Sequence, residues 1–157
     1  MANTFTQLDI QLVFAVQGRR SLIHKSWKDE LFKYMTGIVQ NNGHKMLRIN
    51  GMPDHVHIFI GYKPTQLIPK LVEEIKTSSN AFIKDRQFLA SSFNWQVGYG
   101  AFSYSRSHRD RVIRYIENQE EHHRKKTFRE EYLEMLRKFE IEYKEEYLFE
   151  FIDIHSW

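Results

Sequence analysis

The chain has 157 residues, 41% apolar and 27% charged, with 23 Lys/Arg against 20 Asp/Glu and no cysteine. That length predicts one domain able to bury a core, while the lack of cysteine excludes a disulfide framework and any thiolate site. No apolar run nears the ~20 residues of a bilayer-spanning helix and no signal-peptide layout opens the chain, so a cytoplasmic protein without membrane partners is expected. Residues 129–157 hold nine acidic and four basic residues, which leaves nineteen basic against eleven acidic in the first 128. So basic a body predicts a polyanionic partner.

Between Thr4 and Val16 the even positions Leu8, Ile10, Leu12, Phe14 and Val16 are apolar, with Asp9 and Gln11 between them, which predicts a first strand. After Gly18-Arg19-Arg20, the spacing of Trp27, Leu31, Tyr34, Met35 and Ile38 predicts a helix stopped by Asn41-Asn42-Gly43. A second strand from about His44 to Asn50 turns at Gly51 to Asp54 into a third, and the two form a hairpin. Thr65 is placed to cap a second helix carrying Leu67, Ile68, Leu71, Ile75, Ala81 and Phe82. Within it Lys76, Thr77, Ser78, Ser79 and Asn80 suit an exposed surface, and the lysine among hydroxyls and amides also suits phosphate contact. Phe93 to Tyr104 reads as a fourth strand. The order strand, helix, strand, strand, helix, strand is that of an α+β, ferredoxin-like split βαβ fold, an antiparallel sheet with helices on one face and the other face open to a ligand.

Ser105 to Arg114 is the densest basic stretch. Arg106, Arg109, Arg111 and Arg114, together with Lys76, are the candidate DNA contacts. The stretch opens a helix predicted to run through Val112, Ile113 and Ile116 to about His123, with His122 and His123 at its surface. A further amphipathic helix, Phe128 to Phe139, leads into an acidic, aromatic segment from Ile141 to Phe151. The whole of 1–157 is expected to form one domain, with a core at about 5–124 and an acidic tail at about 128–157.

The chemistry concentrates in Met52-Pro53-Asp54-His55-Val56-His57. Strand alternation puts His55, His57 and Phe59 on one face, so two imidazoles point the same way, as ligands of a divalent metal do. A half-exposed strand can carry such a pair for no chemical reason, so the second element decides. One helical turn separates Tyr115 from Gln119, at the margin of the apolar stripe. The amide oxygen of Gln119 would complete the metal's protein ligands, and Tyr115 would be the nucleophile. A phenol of pKa about 10 needs an adjacent cation, supplied by the metal and by Arg111 or Arg114. Tyr99 and Tyr104 are rival nucleophiles that lack a partner one turn away.

Gly-Met-Pro-Asp-His-Val-His, followed after a basic stretch by Tyr-Ile-Glu-Asn-Gln, resembles the single-tyrosine transposases of the insertion-sequence-200/605 type, in the HUH endonuclease superfamily. The resemblance spans roughly Phe5 to Leu148, and Glu150 to Trp157 have no counterpart in it. It implies His55 and His57 as the histidine pair, Tyr115 as nucleophile and Gln119 as third metal ligand. It also implies a homodimer acting on single-stranded DNA at hairpin-bearing element ends, in the prokaryotic cytoplasm and on the nucleoid when engaged with DNA. In such enzymes the tyrosine leaves a 5′-phosphotyrosine and a free 3′-hydroxyl, and rejoining needs no nucleotide cofactor because the covalent link keeps the bond energy. The metal is Mg2+ or Mn2+: magnesium prefers oxygen ligands, whereas two imidazoles favour manganese or a later metal. Two other readings compete. One is a replication or plasmid-transfer nickase of the same superfamily, the other a non-catalytic single-strand nucleic-acid binding module using Phe59 and Trp95 as stacking platforms.

Overall fold

The computed structural model describes residues 3–145 and 148. In chain order the elements are β1 (Asp9–Ala15), α1 (Lys25–Asn41), β2 (Lys45–Met52), β3 (His55–Gly61), α2 (Ile68–Asp85), β4 (Gly100–Tyr104), α3 (Arg109–Glu117), α4 (Gln119–Lys125) and α5 (Phe128–Lys138), with short 3-10 turns at 17–19 and 106–108. The strands form one sheet in the order β2-β3-β1-β4, antiparallel throughout, and the fold is the expected ferredoxin-like one. The expected acidic segment from Ile141 to Phe151 lies partly outside the described residues, and residues 150–157 do so entirely. No described helix is long and apolar enough to cross a membrane.

Alternation along β1 and β3 sorts the core. Leu12, Phe14, Val56, Ile58 and Ile60, all 0% exposed, face α1 and α2, which present Leu31, Met35, Val39, Leu71 and Ile75 at helical spacing. Each such side chain contributes roughly 1.5–3 kcal/mol by leaving water. The opposite face carries Gln11, His55, His57, Phe59 and Phe102, because His57 pairs with Val13, Phe59 with Gln11, and Gln11 with Phe102.

That second face is not open. Val112 and Ile116 of α3 close over Phe59, and Phe128 of α5 stacks on the His55 ring at 3.8 Å between centroids and 4° between planes. A Cβ at Gly100 would run into the hydroxyl of Tyr132 and the ring of Phe102, so glycine there lets α5 settle against β4. Phe59 is 0% and Trp95 8% exposed, which removes both as stacking platforms for bases.

Three elements differ from the sequence pattern. Thr65 does not cap α2, which begins at Ile68 with Leu67 at its N-cap and no side-chain cap. The expected strand from Phe93 pairs regularly only from Gly100. Before it, the 94–98 segment makes one bridge, Val16 to Trp95, and passes through Gly98 at φ 99°. The polar cluster of α2 fastens this segment: Lys76 Nζ donates to the carbonyls of Gln96 and Gly98 at 2.7 Å each, and Trp95 Nε1 donates to Ser79 Oγ at 2.9 Å. The helix expected from Ser105 to His123 breaks at Asn118 (φ −96°, ψ 29°). There Asn50 of β2 donates to the carbonyls of Ile116 (2.9 Å) and Glu117 (3.2 Å), capping α3 and letting α4 restart at Gln119.

Candidate active site

The β2–β3 hairpin holds its histidines through a two-residue turn, Pro53-Asp54, flanked by the pair Met52 and His55. Turn carbonyls anchor it: Asp54 O accepts from Val16 N at 2.9 Å and Pro53 O from Ile23 N at 3.0 Å. Gly51 precedes the turn where a Cβ would strike the backbone carbonyl of His55. The imidazoles emerge side by side, 5.2 Å apart at 75°. Both are fully buried rather than half-exposed, because α4 and α5 cover them.

Each ring is oriented by its Nδ1. His55 Nδ1 donates to Asp54 Oδ1 and His57 Nδ1 to Gln11 Oε1, both at 2.7 Å; Gln11 in turn donates to Tyr104 Oη at 2.9 Å. This leaves both Nε2 atoms turned inward, the arrangement in which an outer carboxylate or amide fixes a metal-binding histidine.

Between the Nε2 atoms lies a residue the sequence reading did not single out. Glu131 of α5, 3% exposed, places Oε1 3.1 Å from His57 Nε2, 3.5 Å from His55 Nε2 and 3.1 Å from His123 Nε2. Its Oε2 accepts from Gln119 Nε2 at 3.0 Å and from the Tyr115 hydroxyl. Gln119 Oε1 is 3.3 Å from His55 Nε2. Ligand atoms of His55, His57 and Glu131 all lie within 4.8 Å of one another, a spacing that a single cation can bridge.

The imidazoles and carboxylates of the cluster set one another's charge. Burial pushes the His55 imidazole down, yet Asp54 and Glu131 outweigh it and raise the group to about 9; both its nitrogens face acceptors. Burial lowers His57 despite the nearby Glu131. His57 Nδ1 donates to Gln11, and its Nε2 lies 3.1 Å from Glu131 Oε1, so a proton or a metal ion between the two joins them. Glu131 itself would be raised by burial, but His57, His123 and His55 hold it well below the usual carboxylate range. Burial, then the Glu131 charge, push the Tyr115 phenol upward, so in this state it is a protonated hydrogen-bond donor.

Tyr115, Gln119, His55 and His57 therefore converge. The tyrosine ring stands 6.2 Å from that of His57. His122 and His123, expected at the surface, face inward instead: His122 stacks on Tyr115 at 4.4 Å, and His123 reaches Glu131, because the break at Asn118 rotates α4 relative to α3. The candidate DNA contacts divide. Arg109 forms a two-pronged pair with buried Asp9 at 2.8 and 2.9 Å and Lys76 holds the 94–98 segment, whereas Arg106, Arg111 and Arg114 are exposed. Glu131 had left a signal, for it falls within the α5 stripe of Phe128, Tyr132, Met135 and Leu136, and Thr127-Phe-Arg-Glu130 is a capping box that fixes the helix start. Thr127 Oγ1 accepts from Glu130 N at 3.1 Å.

Residues 4–119 match the family described as "Transposase IS200 like". The ISDra2 transposase TnpA of Deinococcus radiodurans is 28% identical over 118 residues, 72% of this chain and 84% of that protein. A crystal structure of a protein from Deinococcus radiodurans R1, assigned as a transposase, is similar with a TM-score of 0.62 at 25% identity, covering 76% of this chain and 95% of that one. A REP-associated tyrosine transposase bound to a REP hairpin shares the fold with a TM-score of 0.58 at 13% identity, covering 78% of this chain and 73% of that one. Most of α4 and all of α5, with His123 and Glu131, lie beyond the residues matched to the family.

Proposed function

The chain belongs to the IS200-like transposase family, and from that premise we propose that it cuts and rejoins single-stranded DNA at hairpin-bearing element ends, with Tyr115 as the nucleophile. One observation carries the reading: the Tyr115 hydroxyl, the Gln119 amide and both histidine Nε2 atoms meet on the carboxylate of Glu131. His55, His57 and Glu131 would hold a divalent ion, with the Gln119 amide oxygen beside them. The added carboxylate makes the donor set richer in oxygen, which suits Mn2+ or Mg2+. A bound ion would supply charge to polarise a phosphate oxygen and to favour phenolate over phenol.

The chain's own groups do the rest. Gln11 and Asp54 fix the imidazoles, and His122 and Glu131 hold the tyrosine ring and hydroxyl in place. Attack of Tyr115 Oη on phosphorus forms one P–O bond and breaks another, giving a 5′-phosphotyrosine and a 3′-hydroxyl. The phenolic proton passes along its hydrogen bond to Glu131 Oε2, and the departing 3′ oxygen takes a proton from solvent. Rejoining reverses these transfers and needs no nucleotide cofactor. A homodimer acting in the cytoplasm is carried by the family resemblance, with 1–157 as its one domain.

The test is a denaturing gel of the protein incubated with labelled single-stranded DNA from its element ends plus Mn2+. A covalent band lost with EDTA, with Tyr115→Phe and with His57→Ala is expected. Tight binding without any band would instead support the non-catalytic binding module.

A further inference from the structure

Beside Tyr115 lies a cavity of about 610 Å³ between the end of β4, α3, and the α4–α5 pair. Tyr115, His122, His123 and Glu131 belong to both its wall and the cluster described above. Whatever fills it therefore lies against the nucleophile. The volume falls within the ~300–1,000 Å³ typical of ligand pockets.

Its lining has two characters. Val112, Met135, Tyr104 and Phe139 make an apolar wall, with Tyr104 and Phe139 edge to face at 5.2 Å. Arg111, Lys125, Lys126 and Lys138 ring it with four cations against two acids, Glu131 and Glu134. Of those acids, Glu131 is surrounded by three histidines, and Glu134 is paired with Lys126 at 2.5 Å. A ligand with one flat apolar face and a negative charge fits both characters.

We propose that this cavity takes a single unpaired nucleotide flanking the scissile phosphate, its base against Tyr104, Met135 and Phe139 and its phosphates toward Arg111, Lys125 and Lys138. The inference rests on the reading of Tyr115 as nucleophile. A base stacked within a duplex cannot enter such a cavity without leaving its stack, so the pocket selects single strands. Lys125, Lys126, Met135, Lys138 and Phe139 all lie beyond the family match at residues 4–119. Part of the wall that would meet the base therefore lies in a segment that the family match does not reach.

The experiment uses the full chain and fluorescent single-stranded oligonucleotides from the element ends, with an abasic site placed in turn at each nucleotide around the cut. Two rates are read: adduct formation under subsaturating DNA, and anisotropy binding in EDTA. Stacking on aromatic side chains contributes about 5- to 150-fold per base. One abasic position next to the cut should slow wild type on that order, and Phe139→Ala should slow the intact strand similarly yet add little on the abasic one. Phe139 also packs against Phe102, at 5.0 Å, so Lys138→Glu, on an exposed residue, guards against a folding artefact. It should weaken binding and lower the salt slope by about one. Normal adduct formation with flat abasic profiles and two silent variants would overturn the pocket while leaving Tyr115 chemistry standing. Abasic-sensitive binding in EDTA with no adduct from any strand would do the reverse.

Discussion

Glu131→Gln removes one charge while keeping the side chain's shape. Without metal, the carboxylate meets three imidazoles, the Gln119 amide and the Tyr115 hydroxyl, and it is 3% exposed. At neutral pH His55 is protonated, its pKa being raised to about 9, so the substitution strands a buried imidazolium. Removing one partner of a buried pair costs about 3–5 kcal/mol. Asp54 still holds His55 at 2.7 Å, which points to the lower end, about 3 kcal/mol. At ~2–4 °C per kcal/mol for a chain of this size, Tm in EDTA should fall by roughly 6–12 °C. Mn2+ gives a second readout. A ligand specific for the folded state stabilises it by about 2.7 kcal/mol at a hundred times Kd. Loss of a charged ligand should weaken the site by at least the ~10–100-fold known for supporting groups. Thermal melts followed by circular dichroism, in EDTA and across a Mn2+ titration, read both effects. A variant with wild-type Tm in EDTA and the wild-type Mn2+ response would refute the account of Glu131.

Other expectations follow from the same geometry. The raised pKa of His55, about 9 against an ordinary 6.5, contributes stability to the metal-free protein that is full below pH ~6.5 and lost as pH climbs through ~9. A metal must displace that proton, so Mn2+ affinity measured by calorimetry should rise over the same window, by up to about tenfold per unit, and a flat profile would contradict the assignment. Gly51→Ala forces a Cβ against the His55 carbonyl; about 1–3 kcal/mol of stability should be lost in urea unfolding, with weaker Mn2+ binding because His55 is displaced. Arg109→Ala breaks the pair with buried Asp9 and should cost about 3–5 kcal/mol without changing the salt slope of DNA binding in salt titrations, whereas Arg111→Ala should lower that slope by about one.

Much of this architecture is legible in the chain itself. Period-two alternation in β1 and β3, and helical spacing from Trp27 to Ile38 and from Ile68 to Ile75, depend on local pattern, and stop signals such as Asn42-Gly43 sit where the elements end. Strand parity alone also brings His55 and His57 onto one face. What the chain hides is tertiary. Trp95, Val97 and Tyr99 alternate like a strand, but Gly98 and the ties to Lys76 make an anchored loop. The break at Asn118 depends on Asn50, nearly seventy residues away, and it turns His123 inward. Glu131 shares the apolar stripe of α5, but what that stripe covers is set by α5 roofing the sheet. Only that roof converts two half-exposed histidines into a buried set with a carboxylate.

The central claim is that Tyr115 becomes covalently joined to DNA. Its most direct test is to isolate the protein–DNA adduct, digest the protein with trypsin, trim the DNA, and map the modified peptide by mass spectrometry. The account predicts a nucleotide attached through its 5′-phosphate to Tyr115, in the peptide ending at Arg124. A nucleotide on Tyr99 or Tyr104, or a 3′-phosphate linkage, would contradict it.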